Sequence, residues 1–406
     1  MVLSRRHAIP FAAALLSAAS LLRAEDATET LPKPKLTGPI TDAKEKEAAL
    51  KKYGGTKETE AAVELGLGWL ARHAEAGGGW KADTYNTHCA EGGKKCEGIG
   101  GGHHGEKVPH SYNDAQTGFC VMAFLGHGVL PNEEGTEQEK LVFNSLKKLE
   151  APHSAWGIAV ACEALSTAEA LERKGRWKAA AHRLADRLIG MRLEDGCWAY
   201  AGDFRGGSDT PYTAFCVQAL VAARDAGFEL PADLAKRTDD FLNSLEEAKG
   251  GKLAYLKNGR QYGYTPTKVN GHSGAAIREL LAVGTGGDRH KLHLMCVGND
   301  IPAWKIEWQT VPGYKEKFQV GNLDLYRWYY GTIATFHAGG SHWTNYFGAV
   351  KRELLAHQRK SDKDGCAKGS WNNEGTYEID VGGRVFTTAL AILMLEQPYR
   401  QVRQRK

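Results

Sequence analysis

Two stretches, RWKAAAHRLADRLIGMRLEDGCW at Arg176–Trp198 and DTPYTAFCVQALVAARDAG at Asp209–Gly227, differ in how their apolar residues are spread. In the first, Ala180, Ala181, Leu184 and Leu188 recur at helical spacing, while Lys178, Arg183, Asp186 and Arg187 occupy the other side. This pattern predicts an amphipathic helix with one solvated face. In the second, small and apolar residues surround most of the axis. A helix of that kind must be covered on most sides, so it belongs to an inner layer behind the first. The glycine and tryptophan of DGCW, Asp195–Trp198, mark a turn between them.

The same alternation recurs along the chain. Further polar helices are expected in ETEAAVELGLGWLARHAEAGGGW (58–80), EQEKLVFNSLKKL (137–149), ADLAKRTDDFLNSLEEAKGGKLAY (232–255), a weaker segment around Asp288–Val297, and HWTNYFGAVKRELLAHQ (342–358). Their apolar partners are DAQTGFCVMAFLGHG (114–128), SAWGIAVACEALSTAEAL (154–171), GHSGAAIRELLAVGTGG (271–287), DLYRWYYGTIATFHAGG (324–340) and RVFTTALAILMLE (384–396), several closing on glycine as helices commonly do. About six hairpins result. Closing them into a ring buries the terminal hairpins against each other without special caps. The expected fold is all-α, an (α/α)6 toroid over residues 58–400, with inner helices parallel and outer helices polar.

The composition, 42% hydrophobic and 25% charged with 48 Gly and 13 Pro in 406 residues, suits a packed globule with many turns. Residues 1–24 read as a signal peptide: Arg5 and Arg6 precede an apolar run from Ala8 to Leu22. The paired arginines suggest the twin-arginine route and hence an exported protein, periplasmic or extracellular. The run is too short to span a bilayer comfortably, so no transmembrane domain is expected in the mature chain. Cleavage removes Arg5, Arg6 and Arg23 from a chain of formal net charge +4, leaving +1, which argues against a nucleic-acid partner. Residues 25–57 read as a linker and polar lead-in.

DGCW, DTPYTAFCVQAL (209–220), DLYRWYYGTIATFHAGGSHW (324–343) and GSW with GGRVFTTALAILMLE (369–396) resemble the terpenoid cyclase and protein prenyltransferase α/α-toroid family, specifically bacterial exported proteins with prenyltransferase and squalene-cyclase-like repeats. The resemblance implies that acid-Gly-Gly-Trp turns close the outer helices, as in Gly79-Trp80, Gly196 with Trp198, Gly251 with Tyr255 and Gly369 with Trp371. It also implies a second use of DGCW. Zinc-bearing prenyltransferase subunits resemble this chain in taking ligands from such a turn and from a distant histidine, which makes Asp195, Cys197 and His272 a candidate metal set and zinc a possible cofactor. The Asp-x-Asp-Asp acid of alkene-protonating cyclases is absent, since Arg237 precedes Thr238-Asp239-Asp240. Cys-Gly-Glu-Gln, the thioester motif of complement-like toroids, is missing too.

Parallel inner helices bring their first turns, and the positive ends of their dipoles, to one mouth. Candidates there for catalysis are Asp209, Asp324, His153 and His272, with Asp114 beside them. Ordinary N-capping accounts for the three aspartates equally well. Candidates for ligand binding are Trp156, Tyr212, Tyr326, Arg327, Trp328, Tyr329, Tyr330 and Arg384. Aromatics rimmed by acids suit sugar stacking or cation stabilisation. THCAEGGKKCEGIGGGHHGEKVPH (87–110) interrupts the first hairpin, and in an exported chain Cys89 and Cys96 read as a disulfide. The alternative is a metal held by His88, His103, His104 and His110, although no two have a recognised zinc spacing. Cys120, Cys162 and Cys216 fall in apolar helices and should pack as small buried side chains.

Two functions follow as expectations. The first is an exported toroid that binds a ligand or partner (small molecule, lipid or glycan) at the ring mouth. The second is an enzyme on the same fold, either prenyl- or terpenoid-processing with zinc or glycan-active through paired acids.

Overall fold

The computed structural model describes residues 39–90, 94–100, 112–199, 209–245, 247–253, 268–305, 323–372 and 382–400, and the backbone alone at 102–103, 106–107, 308–310, 317–319 and 377–381. The signal peptide, residues 25–38 of the lead-in, Tyr255 and the side chains of His103, His104 and His110 lie outside the described residues.

Six helical hairpins follow one another as expected. The outer helices are α2 (Lys57–Arg72), α4 (Glu137–Leu149), α6 (Lys178–Met191), α8 (Leu234–Ser244), α10 (Asp288–Gly298) and α12 (Gly340–His357); the inner ones are α3 (Asn113–His127), α5 (Ala155–Glu172), α7 (Thr210–Asp225), α9 (Lys268–Leu281), α11 (Leu325–Ala338) and α13 (Tyr377–Leu395). Each inner helix packs on the next, and α13 packs back on α3, so the ring is closed. Outer helices sit in the grooves between successive inner ones; α4, for example, touches both α3 and α5.

The local chemistry agrees with this layering. Two outer helices, α2 and α4, start at capping boxes: Thr136 accepts from Glu139 N while the Glu139 carboxylate accepts from Thr136 N. Inner helices are buried almost throughout, from Ala115 to Gly126 in α3 without a break. Where inner backbones approach most closely the side chain is gone: a Cβ on Gly118 of α3 would strike Val160 of α5. Cys120, Cys162 and Cys216 are fully buried packing groups, as their helices led one to expect.

The tryptophan turns repeat one geometry. The indole N–H groups of Trp80, Trp198 and Trp371 donate to Leu70, Leu188 and Leu354 carbonyls at the ends of α2, α6 and α12, at 2.8, 2.7 and 2.8 Å. Their backbone N–H groups donate to Thr117, Thr213 and Thr388 hydroxyls on the following inner helix, at 3.0, 3.0 and 3.2 Å. Each turn thus fixes an inner helix to its outer one through an aromatic side chain that is itself buried. Gly196 permits the DGCW turn because it has φ +94° with the Arg237 backbone directly against it.

The end of the ring where the inner helices finish is covered. Helix α1 (Ala43–Tyr53), from the predicted polar lead-in, and the short α14 (Gln397–Arg400) lie against each other there. Ile40, Ala49, Tyr53, Phe336, Trp343, Phe347 and Tyr399 form a small second core that includes their contact. The opposite end, where the inner helices begin, is the mouth of the ring.

Truncating the repeated anchor should be costly. Trp198→Ala is expected to lower unfolding free energy by about 3–5 kcal/mol in urea titrations, and Thr213→Val, which removes only the hydroxyl, by about 1 kcal/mol.

Candidate functional site

Aromatic side chains from five inner helices converge behind the mouth. Trp156, the second residue of α5, is their hub: its ring lies 5.6 Å from Phe119, 5.9 Å from Phe215 and 5.4 Å from Phe386 between ring centroids, and 5.7 Å from the half-buried Tyr112. Tyr326, also half-buried, meets Phe215 at 5.4 Å and Tyr330 at 5.2 Å. Most of these pairs are edge-to-face or tilted, the arrangement that ring quadrupoles favour. The centre of the ring is therefore filled, and what faces the mouth is an aromatic floor. The Trp156 indole N–H is buried and meets no acceptor among the described residues.

Several expected ligand contacts turn out to hold the ring together. The Tyr212 hydroxyl donates to the Ala155 carbonyl at 2.7 Å and the Tyr330 hydroxyl to the Pro211 carbonyl at 2.6 Å, bonds that tie α7 to α5 and α11 to α7. Tyr329 lies deeper, accepting from Gln218 at 2.9 Å. Trp328 packs on Trp304, away from the aromatic floor.

The acids at the mouth are mostly occupied. Asp114 accepts from the His153 and Ser154 backbone N–H groups at 2.8 and 3.0 Å and from the Ser154 hydroxyl at 2.9 Å, so it clamps the start of α5; the His153 side chain is exposed. Asp209 caps α7 by accepting from Tyr212 N, and Asp324 caps α11 by accepting from Arg327 N, at 2.7 and 2.8 Å. Asp209 and Asp324 therefore take the expected capping role, whereas Asp114, inside the first turn of α3, does not; Asp324 also keeps a partly exposed carboxylate 3.8 Å from Arg327.

Beside Asp324 is a charge cluster that the sequence did not single out. Asp300, following α10 and almost fully buried, binds Arg327 Nε at 2.6 Å and Lys268 Nζ at 2.6 Å, and lies 3.6 Å from His272 Nε2. Burial holds His272 down to about 4, outweighing the pull of Asp300 toward the charged form. A second missed group is Glu163 on α5, deep in the ring, pushed up to about 7 by burial and facing Arg400 of α14 at 3.9 Å.

The proposed set of Asp195, Cys197 and His272 is not assembled. Cys197 is fully buried and donates to Asp195 Oδ1 at 2.9 Å within its turn, whereas His272 belongs to the Asp300 cluster. The expected Cys89–Cys96 disulfide is corrected as well, because both are free thiols. They converge instead with a histidine and a distant cysteine: Cys89, Cys96 and Cys366 Sγ lie 3.6, 3.6 and 3.3 Å from His73 Nε2. These four ligand atoms are all within 4.8 Å of one another, a group that could hold a metal ion, and it is the one such group among the described residues. Burial pushes the Cys96 thiol up to about 12 and raises Cys366, while His73 is held down to about 4 and hence neutral. His88 stands outside the group, 3.3 Å from Glu75. Arg384, expected at the mouth, donates to the Glu97 carbonyl at 2.7 Å and the Ser370 hydroxyl at 3.0 Å, bracing the loop that carries Cys96 against the last turn.

A closed ring of hairpins with parallel inner helices places the chain among the α/α toroids. No family model and no curated protein matches the sequence. Among solved structures, it is similar to a family 76 α-1,6-mannanase of Salegentibacter sp. (TM-score 0.55, 11% identity, 84% of this chain and 99% of that one) and to an α-amylase of Clostridium perfringens (0.53, 11%, 83% and 97%). A family 76 mannosidase of Bacteroides thetaiotaomicron gives 0.50, with 10% identity over 85% and 98% of the two chains. At these identities the likeness is one of fold. It supports the toroid and does not single out the prenyltransferase and squalene-cyclase group. No helix among the described residues is long and apolar enough to cross a membrane.

Asp300→Asn should leave Arg327 and Lys268 facing a neutral amide and cost about 3 kcal/mol of unfolding free energy, read by denaturant titration. His272 makes a pH-dependent contribution of definite sign. Its folded value of about 4 lies below the ordinary 6.5, so its contribution is complete above pH 6.5 and is lost as pH falls toward 4. In His272→Gln the stability-versus-pH slope between those values should be shallower, by up to about 1.4 kcal/mol per pH unit.

Proposed function

We propose that the protein binds a glycan at the mouth of its ring. The observation that carries this reading is Trp156: a large aromatic in the first turn of α5, 5% exposed, braced by Phe119, Phe215 and Phe386, with a buried indole N–H that meets no acceptor among the described residues. Sugar rings offer apolar C–H faces to stack on such a surface and hydroxyl oxygens to accept from such a donor. Half-buried Tyr112 and Tyr326 extend the surface, while Arg327 and Asp324 supply charged and hydrogen-bonding groups at its edge. The solved toroids of similar fold include α-1,6-mannanases, one of them in complex with an α-1,6-mannotetrose, which supports a glycan over a prenyl or terpenoid ligand.

Binding is favoured over hydrolysis because glycoside cleavage needs two carboxylates facing the bound sugar. Among the described aspartates at the mouth, Asp114 is held by the His153 and Ser154 N–H groups and Asp209 by its capping bond. Export through the twin-arginine signal expected in residues 1–24 accords with a glycan ligand outside the cytoplasm.

Isothermal titration of the full chain with α-1,6-mannotetraose and with maltotetraose tests the reading. Saturable binding to one of them is expected, weakened roughly tenfold or more in Trp156→Ala, about 1.4 kcal/mol. No binding to either sugar, or equal affinity in the variant at unchanged circular dichroism, overturns it. Release of reducing ends from a bound oligosaccharide would move the protein to the glycan-active enzymes.

A further inference from the structure

We propose that His73, Cys89, Cys96 and Cys366 bind one zinc ion, and that this ion locks the first hairpin of the ring to the last. The argument begins with shape. Four ligands around tetrahedral zinc, with Zn–S of about 2.3 Å and Zn–N of about 2.0–2.1 Å, are separated by N···S edges of about 3.6 Å. The three edges from His73 Nε2 are 3.6, 3.6 and 3.3 Å. All four ligand atoms lie within 4.8 Å of one another.

The surroundings match a metal ligand's needs. His73 Nδ1 donates to the Trp69 carbonyl at 2.8 Å, which fixes the tautomer and leaves the Nε2 lone pair aimed at the three sulfurs. Trp69 stacks on the imidazole at 4.2 Å and Tyr85 meets its edge at 5.8 Å, holding the ring in place. The Cys96 backbone N–H points at Cys89 Sγ, 3.3 Å away, as donors do around metal-bound thiolates. Three cysteines and one histidine, all buried or half-buried, fill the coordination sphere, the mark of a structural site rather than a catalytic one. Binding converts three thiols and a neutral imidazole with Zn2+ into a complex of net charge −1, and the three protons go to solvent. Buried Arg384 braces the adjoining backbone at Glu97 and so puts a positive charge near that complex.

The position gives the ion its role. His73 ends α2, Cys89 and Cys96 lie in the turn that follows, and Cys366 belongs to the turn between α12 and α13, 293 residues from His73. Those are the two sides of the seam where α13 meets α2 and α3. A bond across it closes a loop of 293 residues, which lowers the entropy of the unfolded state.

Metal analysis of the purified full chain, prepared under reducing conditions with zinc, should find about one zinc per chain. Exchange into cobalt should give the intense visible bands of tetrahedral Co2+ with a thiolate-to-metal charge-transfer band, a readout that does not depend on any variant. Cys366→Ser is expected to weaken zinc by more than the roughly 100-fold that loss of an outer-shell partner can cause, and to lower Tm by about 5 °C or more. Chelation of the wild-type protein should lower Tm likewise, and zinc should restore it. Absence of bound zinc and of a cobalt spectrum, a Cys89–Cys96 disulfide found by mass spectrometry, or full zinc retention by Cys366→Ser would each overturn the proposal.

Discussion

Six helices standing side by side in a closed ring leave none of their faces to water, and this constraint governs the rest of the molecule. Each inner helix touches two inner neighbours, the outer layer and the ring's centre, so its polar atoms need partners within the protein. The hydroxyls of Ser273, Thr332 and Thr335 donate back to carbonyls one turn earlier in their own helices, at 2.8, 2.7 and 2.7 Å. Close approach then selects glycine at Gly118, and at Gly331, where the Tyr346 hydroxyl occupies the place of a side chain.

The centre of the ring follows from the same constraint. Aromatic side chains of Phe119, Trp156, Phe215, Tyr329 and Phe386 fill it by edge contacts, and the polar Gln218–Tyr329 and Glu163–Arg400 groups are confined to the end covered by α14. Charged groups gather instead near the starts of α9 and α11, where Asp300 binds Lys268 and Arg327.

A ring made from one chain has one seam, and the molecule concentrates cross-links there. Gln358 of the last outer segment donates to the Ala62 carbonyl of α2 at 2.8 Å, and Arg72 donates to the Lys368 carbonyl at 2.8 Å. Arg384 joins Glu97 to Ser370, and the His73 cluster gathers ligands from both sides. These contacts unite residues far apart in sequence, whose meeting costs the most loop entropy and rewards a strong link the most.

Local patterning by itself determined the six hairpins and their inner and outer members, because an all-round apolar helix such as 154–171 can only be an inner one; closure of the ring, preferred over an open solenoid, is decided by the packing of α13 on α3. Local patterning also revealed the caps at Asp209 and Asp324 and the use of DGCW as a turn, since these rest on bonds over a few residues, whereas Asp114 reaches His153 and Ser154 about 40 residues away. What only the tertiary structure decided is which distant groups meet. Cys89 and Cys96 look like a disulfide until His73 and Cys366 arrive beside them, and nothing near Cys366 in sequence announces that partnership. Asp300, in the loop after α10, shows its importance only when Arg327 and Lys268 close on it. Helical periodicity reports which face a residue occupies; the identity of what lies opposite is set by the folding of the whole ring, and a site made of remote side chains depends on that alone.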